Sequence, residues 1–184
     1  ESSIQEMSEN PKLLHSVKAL DTPIFSVEKE LFSIEENKEI ERWSVRHPGA
    51  VVILPLTASN EVLMAKQFRF PMQEYILEFP AGCLEEGESP LNCAKRELSE
   101  ELKVQAENWE CLGETFASPG FTDEILHFFL AKDLSEFYLP EDEDEEIEVV
   151  TLSVKQLKEH LLEGKIRDCK SHAIFSQAML KGLI

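Results

Sequence analysis

Hydrophobic and polar positions change their period several times along this chain, and each change marks an element. Between Leu13 and His47 short runs alternate: Lys18-Ala19-Leu20, Ile24-Phe25-Ser26-Val27-Glu28 and Ile40-Glu41-Arg42-Trp43-Ser44-Val45. A period of two predicts antiparallel strands, turned near Asp21-Thr22-Pro23 and Glu36-Asn37-Lys38. So small a sheet barely buries its own apolar face, so it is expected to pack on something else. Pro48-Gly49 is the clearest punctuation, and residues 50–56 (AVVILPL) that follow are apolar almost throughout. They predict a buried strand, with 61–68 (EVLMAKQF) as its hairpin partner across Ala58-Ser59-Asn60. Further strands are expected at 75–79, at about 107–117 and 124–131, and at 147–152. Ser153 opens a helix that Gly164 stops, and a last helix covers about 171–180. The expected organisation is a flexible start at 1–12, an N-terminal β subdomain at 13–48 and a main domain at 49–184.

The remaining helix carries the chemistry. Ser89 can cap it and Pro90 fits its first position. Leu91, Ala94, Leu98 and Leu102 then recur on one face. Glu97, Glu100 and Glu101 lie on the adjoining face, where residues three and four apart are neighbours. A solvated acidic face is the ordinary reading of paired glutamates. Three like charges side by side nevertheless repel, and a divalent cation would offset that; oxygen-only ligands suit Mg²⁺ or Mn²⁺ better than a soft metal.

The full spacing changes the odds. Gly82, five residues, Glu88, seven residues, then Arg96-Glu97-Leu98-Ser99-Glu100-Glu101 resembles the signature box of the Nudix hydrolases. One position departs: the family's last glycine is Lys103 here, while Val104 keeps the aliphatic site. That glycine ends the helix in a left-handed conformation, so the departure bears on the helix end more than on the chemistry. The resemblance implies an α/β (α+β) sandwich, the Nudix fold with a mixed central sheet between helices, plus the small N-terminal antiparallel sheet.

Beyond the box, Lys66-Gln67-Phe68-Arg69-Phe70-Pro71 and Leu77-Glu78-Phe79-Pro80-Ala81-Gly82 resemble the ADP-ribose pyrophosphatase and ADP-sugar diphosphatase branch. So does Pro119, sixteen residues past Lys103, although a turn would explain it equally well. Glu163-Gly164-Lys165-Ile166-Arg167-Asp168 is similar too, and a plain helix stop accounts for it as readily.

This resemblance implies hydrolysis of a diphosphate that links a nucleoside to a second group; with ADP-ribose the products are AMP and ribose 5-phosphate. Glu97 and Glu101 resemble the principal metal ligands, with Glu100 and the Ala81 carbonyl contributing, and Mg²⁺ (or Mn²⁺) as the cofactor. Arg96 and Glu88 pair to fix the loop against the helix. Glu145, in the acidic run 141–146, matches the general base, with Glu143 and Glu146 as alternatives; a solvated charge is the default for each. Arg69 is the expected phosphate contact, and an ion pair with Glu78 is its other reading. Phe25 and Trp43 match aromatics that sandwich the purine, or simply pack the small sheet, and Arg46 stands nearby to reach phosphate or ribose. The family commonly dimerises through this N-terminal region, so a homodimer is expected.

Composition narrows the partners. The 184 residues include 36 acidic and 18 basic side chains, a net charge of −18. Such a chain is expected to bind neither nucleic acid nor an anionic membrane. No apolar run reaches the ~18 residues of a membrane span. The four cysteines form no metal-ligand spacing and read as reduced thiols, as in a cytoplasmic protein. The histidines show no i, i+4 pairing that would hold zinc, and Trp109 reads as core. Rivals are a hydrolase of other nucleoside diphosphate sugars, such as GDP-mannose or ADP-glucose, and a catalytically silent Nudix domain. The latter typically loses box carboxylates, and all are present here.

Overall fold

The structure, a computed structural model, describes residues 10–35, 38–137 and 147–184. Two compact units divide the chain: the residues up to Pro48 with Ser118–Glu124, and Gly49–Ala117 with Ile125–Ile184. Ser118–Glu124 returns to the first unit from outside the 13–48 span expected for it.

In the first unit, β1 (Lys12–Asp21), β2 (Ser26–Glu35) and β3 (Lys38–Arg46) form an antiparallel meander. Thr22 closes the first turn: its hydroxyl oxygen accepts the Phe25 N–H at 3.0 Å, and its own N–H donates to the Phe25 carbonyl. The returning segment bridges β3, with Val45 N–H donating to Phe121 O at 2.8 Å and Asp123 N–H to Val45 O at 3.2 Å. Every position of β1 is exposed, Leu13, Leu14, Val17 and Leu20 included.

The second unit holds β4 (Ala50–Pro55), β5 (Glu61–Arg69), β6 (Glu74–Glu78), β7 (Ala81–Cys83), α1 (Pro90–Leu102), β8 (Val104–Phe116), β9 (Ile125–Glu136), β10 (Glu148–Ser153), α2 (Val154–Leu162) and α3 (Cys169–Leu180). All residues of β4 are buried, as an unbroken apolar run requires. It lies between β9, parallel, and β7, antiparallel, in a sheet ordered β7-β4-β9-β8. The expected hairpin of β4 with β5 does not form. β5 pairs with β6 and β10 in a separate antiparallel sheet, and only an isolated Leu56–Val62 bridge joins the two runs. A strand apolar on both faces takes a central position with cover on each side. Val51 and Ile53 pack with Cys93, Ala94, Leu98 and Leu102 of α1. Val52 and Leu54 pack in a second cluster with Leu157 of α2 and Ile174 and Ala178 of α3. Each fully buried aliphatic side chain contributes about 1.5–3 kcal/mol.

Ser89 caps α1 by accepting the Asn92 N–H at 3.3 Å, and Pro90 is its first residue. The buried face is rotated slightly from the expected one, taking in Cys93 and Ser99 and leaving Leu91 exposed. Lys103 ends the helix by adopting the left-handed conformation itself, φ 56° and ψ 34°. α2 begins in a capping box of Ser153 and Gln156. Asp168 caps α3, which starts two residues ahead of the expected position. Trp109 is half-buried, edge-on to Phe129. Among the described residues no helix is long and apolar enough to cross a membrane.

Candidate active site

The turn from β7 into α1 brings backbone against carboxylate. A Cβ on Gly82 would lie 1.9 Å from the Glu97 carboxyl carbon, so any side chain here would displace the Glu97 carboxylate. One residue earlier, Ala81 N–H donates to Glu101 Oε2 at 3.3 Å. Glu97 and Glu101 are one turn apart on the same face of α1. Burial, reinforced by the negative Glu97 beside it, pushes Glu101 up to about 8.

Arg96 organises the acids around it. Its Nε and Nη2 grip both oxygens of Glu88, at 3.1 and 2.9 Å, and hold that carboxyl down to about 2. Nη2 also donates to the Cys83 carbonyl at 3.1 Å, which ties the loop to the helix. Nη1 reaches Glu97 at 2.6 Å and Glu100 at 3.1 Å. The four positions named for the metal therefore do not stand as a ready cage. Among the described residues no group of three His, Cys, Asp or Glu side chains converges closely enough to hold an ion, and Arg96 draws two of the acids to itself. The donor chemistry still fits a hard divalent cation, because the set is all oxygen and Glu101 is a half-buried acid beside a second carboxylate.

At the ends of β5 and β6, Arg69 Nε donates to Glu78 Oε1 at 2.6 Å. Glu78 is only 3% exposed, and its other oxygen receives Lys170 Nζ at 3.2 Å. Lys170 also meets Asp168 at 2.7 Å. Although burial works against its charge, Asp168 and Glu78 raise the Lys170 pKa. Ser171 joins in, donating its N–H and hydroxyl to Asp168 and accepting the Phe79 N–H at 2.9 Å. Lys170 belongs to no expected site, Ser171 was expected only as the start of the last helix and Asp168 only as the end of a helix-stop motif; the signal was the Asp168-Cys169-Lys170-Ser171 run.

The first unit contains a cavity of about 290 Å³ lined by Trp43, Phe32, Arg42, Arg46 and Phe121, among others. Trp43 is half-exposed there, its Nε1 donating to Glu41 at 3.3 Å and Lys29 standing 5.8 Å from its ring centroid. Phe25 is absent from the lining: it closes the β1–β2 turn instead. Phe32 and Phe121 are aromatic walls that were not among the expected base contacts. Arg46 is engaged on every side, by Glu28 at 3.2 Å, by Asp123 at 3.1 Å and by the buried Glu30. Glu30 also accepts from the Ser44 hydroxyl. Glu145, with its alternatives Glu143 and Glu146, lies outside the described residues.

A family model for the NUDIX domain matches residues 45–172. A methanol dehydrogenase activator of Bacillus methanolicus is 42% identical over 132 residues, 71% of each chain. An ADP-ribose pyrophosphatase of Bacillus subtilis is 35% identical over 181 residues, covering 97% of this chain and 95% of its own. A GDP-mannose pyrophosphatase of Yersinia enterocolitica is 34% identical over 148 residues, 76% of this chain and 77% of its own. A crystal structure of an ADP compounds hydrolase superposes with a TM-score of 0.82 at 20% identity, over 98% of this chain and all of that one, which shows the fold.

Proposed function

The chain belongs to the Nudix family and is a Nudix hydrolase; on that premise we propose that it hydrolyses the diphosphate bond of ADP-ribose or a related ADP-sugar, giving AMP and a sugar phosphate. One observation carries the reading: the half-buried Glu97–Glu101 pair, Glu97 set close against Gly82 and Glu101 accepting the Ala81 N–H, an oxygen-only site whose negative charge is left partly unbalanced. Near full-length likeness to an ADP-ribose pyrophosphatase supports the choice of substrate.

Glu97 and Glu101, with Glu100 and the Ala81 carbonyl, would hold Mg²⁺ or Mn²⁺. When bound, the ion supplies charge neutralisation at the diphosphate oxygens, where the barrier to attack by water is mainly electrostatic. Arg96 fixes the loop through Glu88 and keeps Glu97 and Glu100 oriented. Arg69, held through its Nε, turns its terminal nitrogens to a phosphate. Trp43 and the cavity around it receive the base by stacking, worth ~1–3 kcal/mol in nucleic-acid cases. Glu145 takes the proton from the attacking water, with Glu143 and Glu146 as the alternatives. The apolar side chains along β1 support a homodimer formed through the N-terminal unit, and the free cysteines support a reducing, cytoplasmic setting.

The test is a product assay with Mg²⁺ or Mn²⁺ and a panel of ADP-ribose, ADP-glucose and GDP-mannose. AMP and ribose 5-phosphate as the preferred products support the proposal. A clear preference for GDP-mannose favours the activity named for the Yersinia enterocolitica relative, and no turnover of any nucleoside diphosphate sugar leaves a silent Nudix domain.

A further inference from the structure

The N-terminus of α3 grips the strand that carries Glu78, and this contact has a consequence for the arginine on the other side. Glu78 offers two oxygens. Arg69 takes one through Nε at 2.6 Å, and Lys170 takes the other at 3.2 Å. A carboxylate with both oxygens open to an arginine ordinarily receives a two-pronged fork. Here the second oxygen already receives Lys170. Among the described residues the two terminal nitrogens of Arg69 have no hydrogen-bond partner, although the side chain is 37% exposed.

Lys170 is itself held. Its ammonium lies 2.7 Å from Asp168, whose other oxygen caps α3 through the Ser171 N–H at 2.9 Å. The Ser171 hydroxyl donates to the same Asp168 oxygen at 2.8 Å and accepts the Phe79 N–H. One helix end thus secures the Glu78 side chain and the next peptide together, immediately before Pro80 and β7, whose Ala81 and Gly82 meet the acids of α1. The four charged groups, Arg69 and Lys170 against Glu78 and Asp168, balance to zero.

We infer that Lys170 is a positioning residue for substrate: by occupying the second oxygen of Glu78 it keeps Arg69 from closing on that carboxylate and leaves the guanidinium free for the diphosphate. This rests on the proposed function above. Without Lys170, Glu78 and Asp168 carry an excess negative charge and Arg69 swings in to pair with Glu78 on both oxygens. Substrate then competes with an internal partner, which appears in KM before kcat.

The experiment is a steady-state cycle on the full chain with ADP-ribose and Mg²⁺: wild type, Lys170→Met, Lys170→Arg, Arg69→Met and the Lys170→Met/Arg69→Met double variant, each with its melting temperature. Lys170→Met is expected to raise KM about 10- to 100-fold with kcat changed much less. Lys170→Arg, which keeps the cation, restores KM to within about 3-fold of wild type. In the Arg69→Met background, Lys170→Met adds no further change in KM. If Lys170 only anchors α3, Lys170→Met lowers the melting temperature and leaves KM alone, which overturns the inference; so do effects on KM that multiply in the double variant. A wild type that neither binds nor hydrolyses ADP-ribose overturns the proposed function and this inference together, whereas an active wild type with an unchanged Lys170→Met KM overturns this inference alone.

Discussion

Two arginines in this molecule each collect acidic side chains, and they do so to opposite ends. Arg46, in the first unit, meets Glu28, Asp123 and the buried Glu30, and all three acids have a cation. A hydrogen bond from Ser16, then Arg46, holds Glu28 below its ordinary value. Against the cost of burial, the His47 N–H and Arg46 do the same for Asp123. Arg96, in the second unit, meets Glu88, Glu97 and Glu100, but among the described residues Glu101 next to them receives only the Ala81 N–H, and it is pushed up to about 8. A saturated cluster ties chain segments together. One with an acid left over has capacity for a further cation. The acid worth testing is therefore the one with no ion pair among the described residues, and local acidity alone does not identify it.

The sharpest way to break this contrast is Glu101→Gln, which keeps the shape and removes the charge. Turnover is expected to fall by about 1,000-fold or more, on the scale of removing a key electrostatic contact, with the melting temperature kept. Glu30→Gln, in the saturated cluster, is expected to act the other way round, lowering stability and leaving kcat within about 3-fold. Equal losses of turnover in the two variants would dissolve the distinction. Arg46→Met strips the cation from the buried Glu30 and should cost about 2–3 kcal/mol in a denaturant melt, toward the low end because Arg46 is partly exposed to water. A large rise in KM with unchanged stability would instead make Arg46 a substrate contact rather than a tie.

A pH series on metal-free protein sharpens the same point. The folded pKa of Glu101, about 8, lies above its ordinary 4.5, so between those values the native state binds a proton that the unfolded state does not. This group's contribution therefore makes stability fall as pH rises through that window. Glu101→Gln is expected to flatten the decline, and added Mg²⁺ to raise the melting temperature most at the alkaline end, where the carboxylate is ionised. An identical pH slope in wild type and variant would remove Glu101 as its source. The smallest effect is expected at the helix end, where Lys103→Gly relieves a left-handed non-glycine residue and should stabilise the chain by about 1 kcal/mol.

Much of this was legible in one dimension because it depends on spacing. The register of Gly82, Glu88, Arg96, Glu97 and Glu101 sits on one loop and one helix, where sequence distance sets spatial distance. The caps at Ser89 and Ser153 and the alternation of the first three strands are local in the same sense. Pairing was not local: the apolar run of β4 specified burial on both faces but not which strands flank it, and the nearest run in sequence, β5, went to another sheet.

The amino-acid order alone thus determined the elements, the acid-bearing helix and the kind of chemistry its carboxylates suit. Only the tertiary structure decided which charges are already spent. It joined Lys170 to Glu78 across 92 residues and Arg46 to Asp123 across 77, and it turned Phe25 to a turn while bringing Phe121 to the cavity. Whether a charged side chain is a tie or a binding group depends on which of its hydrogen-bonding atoms have found partners, and those partners come from distant parts of the chain.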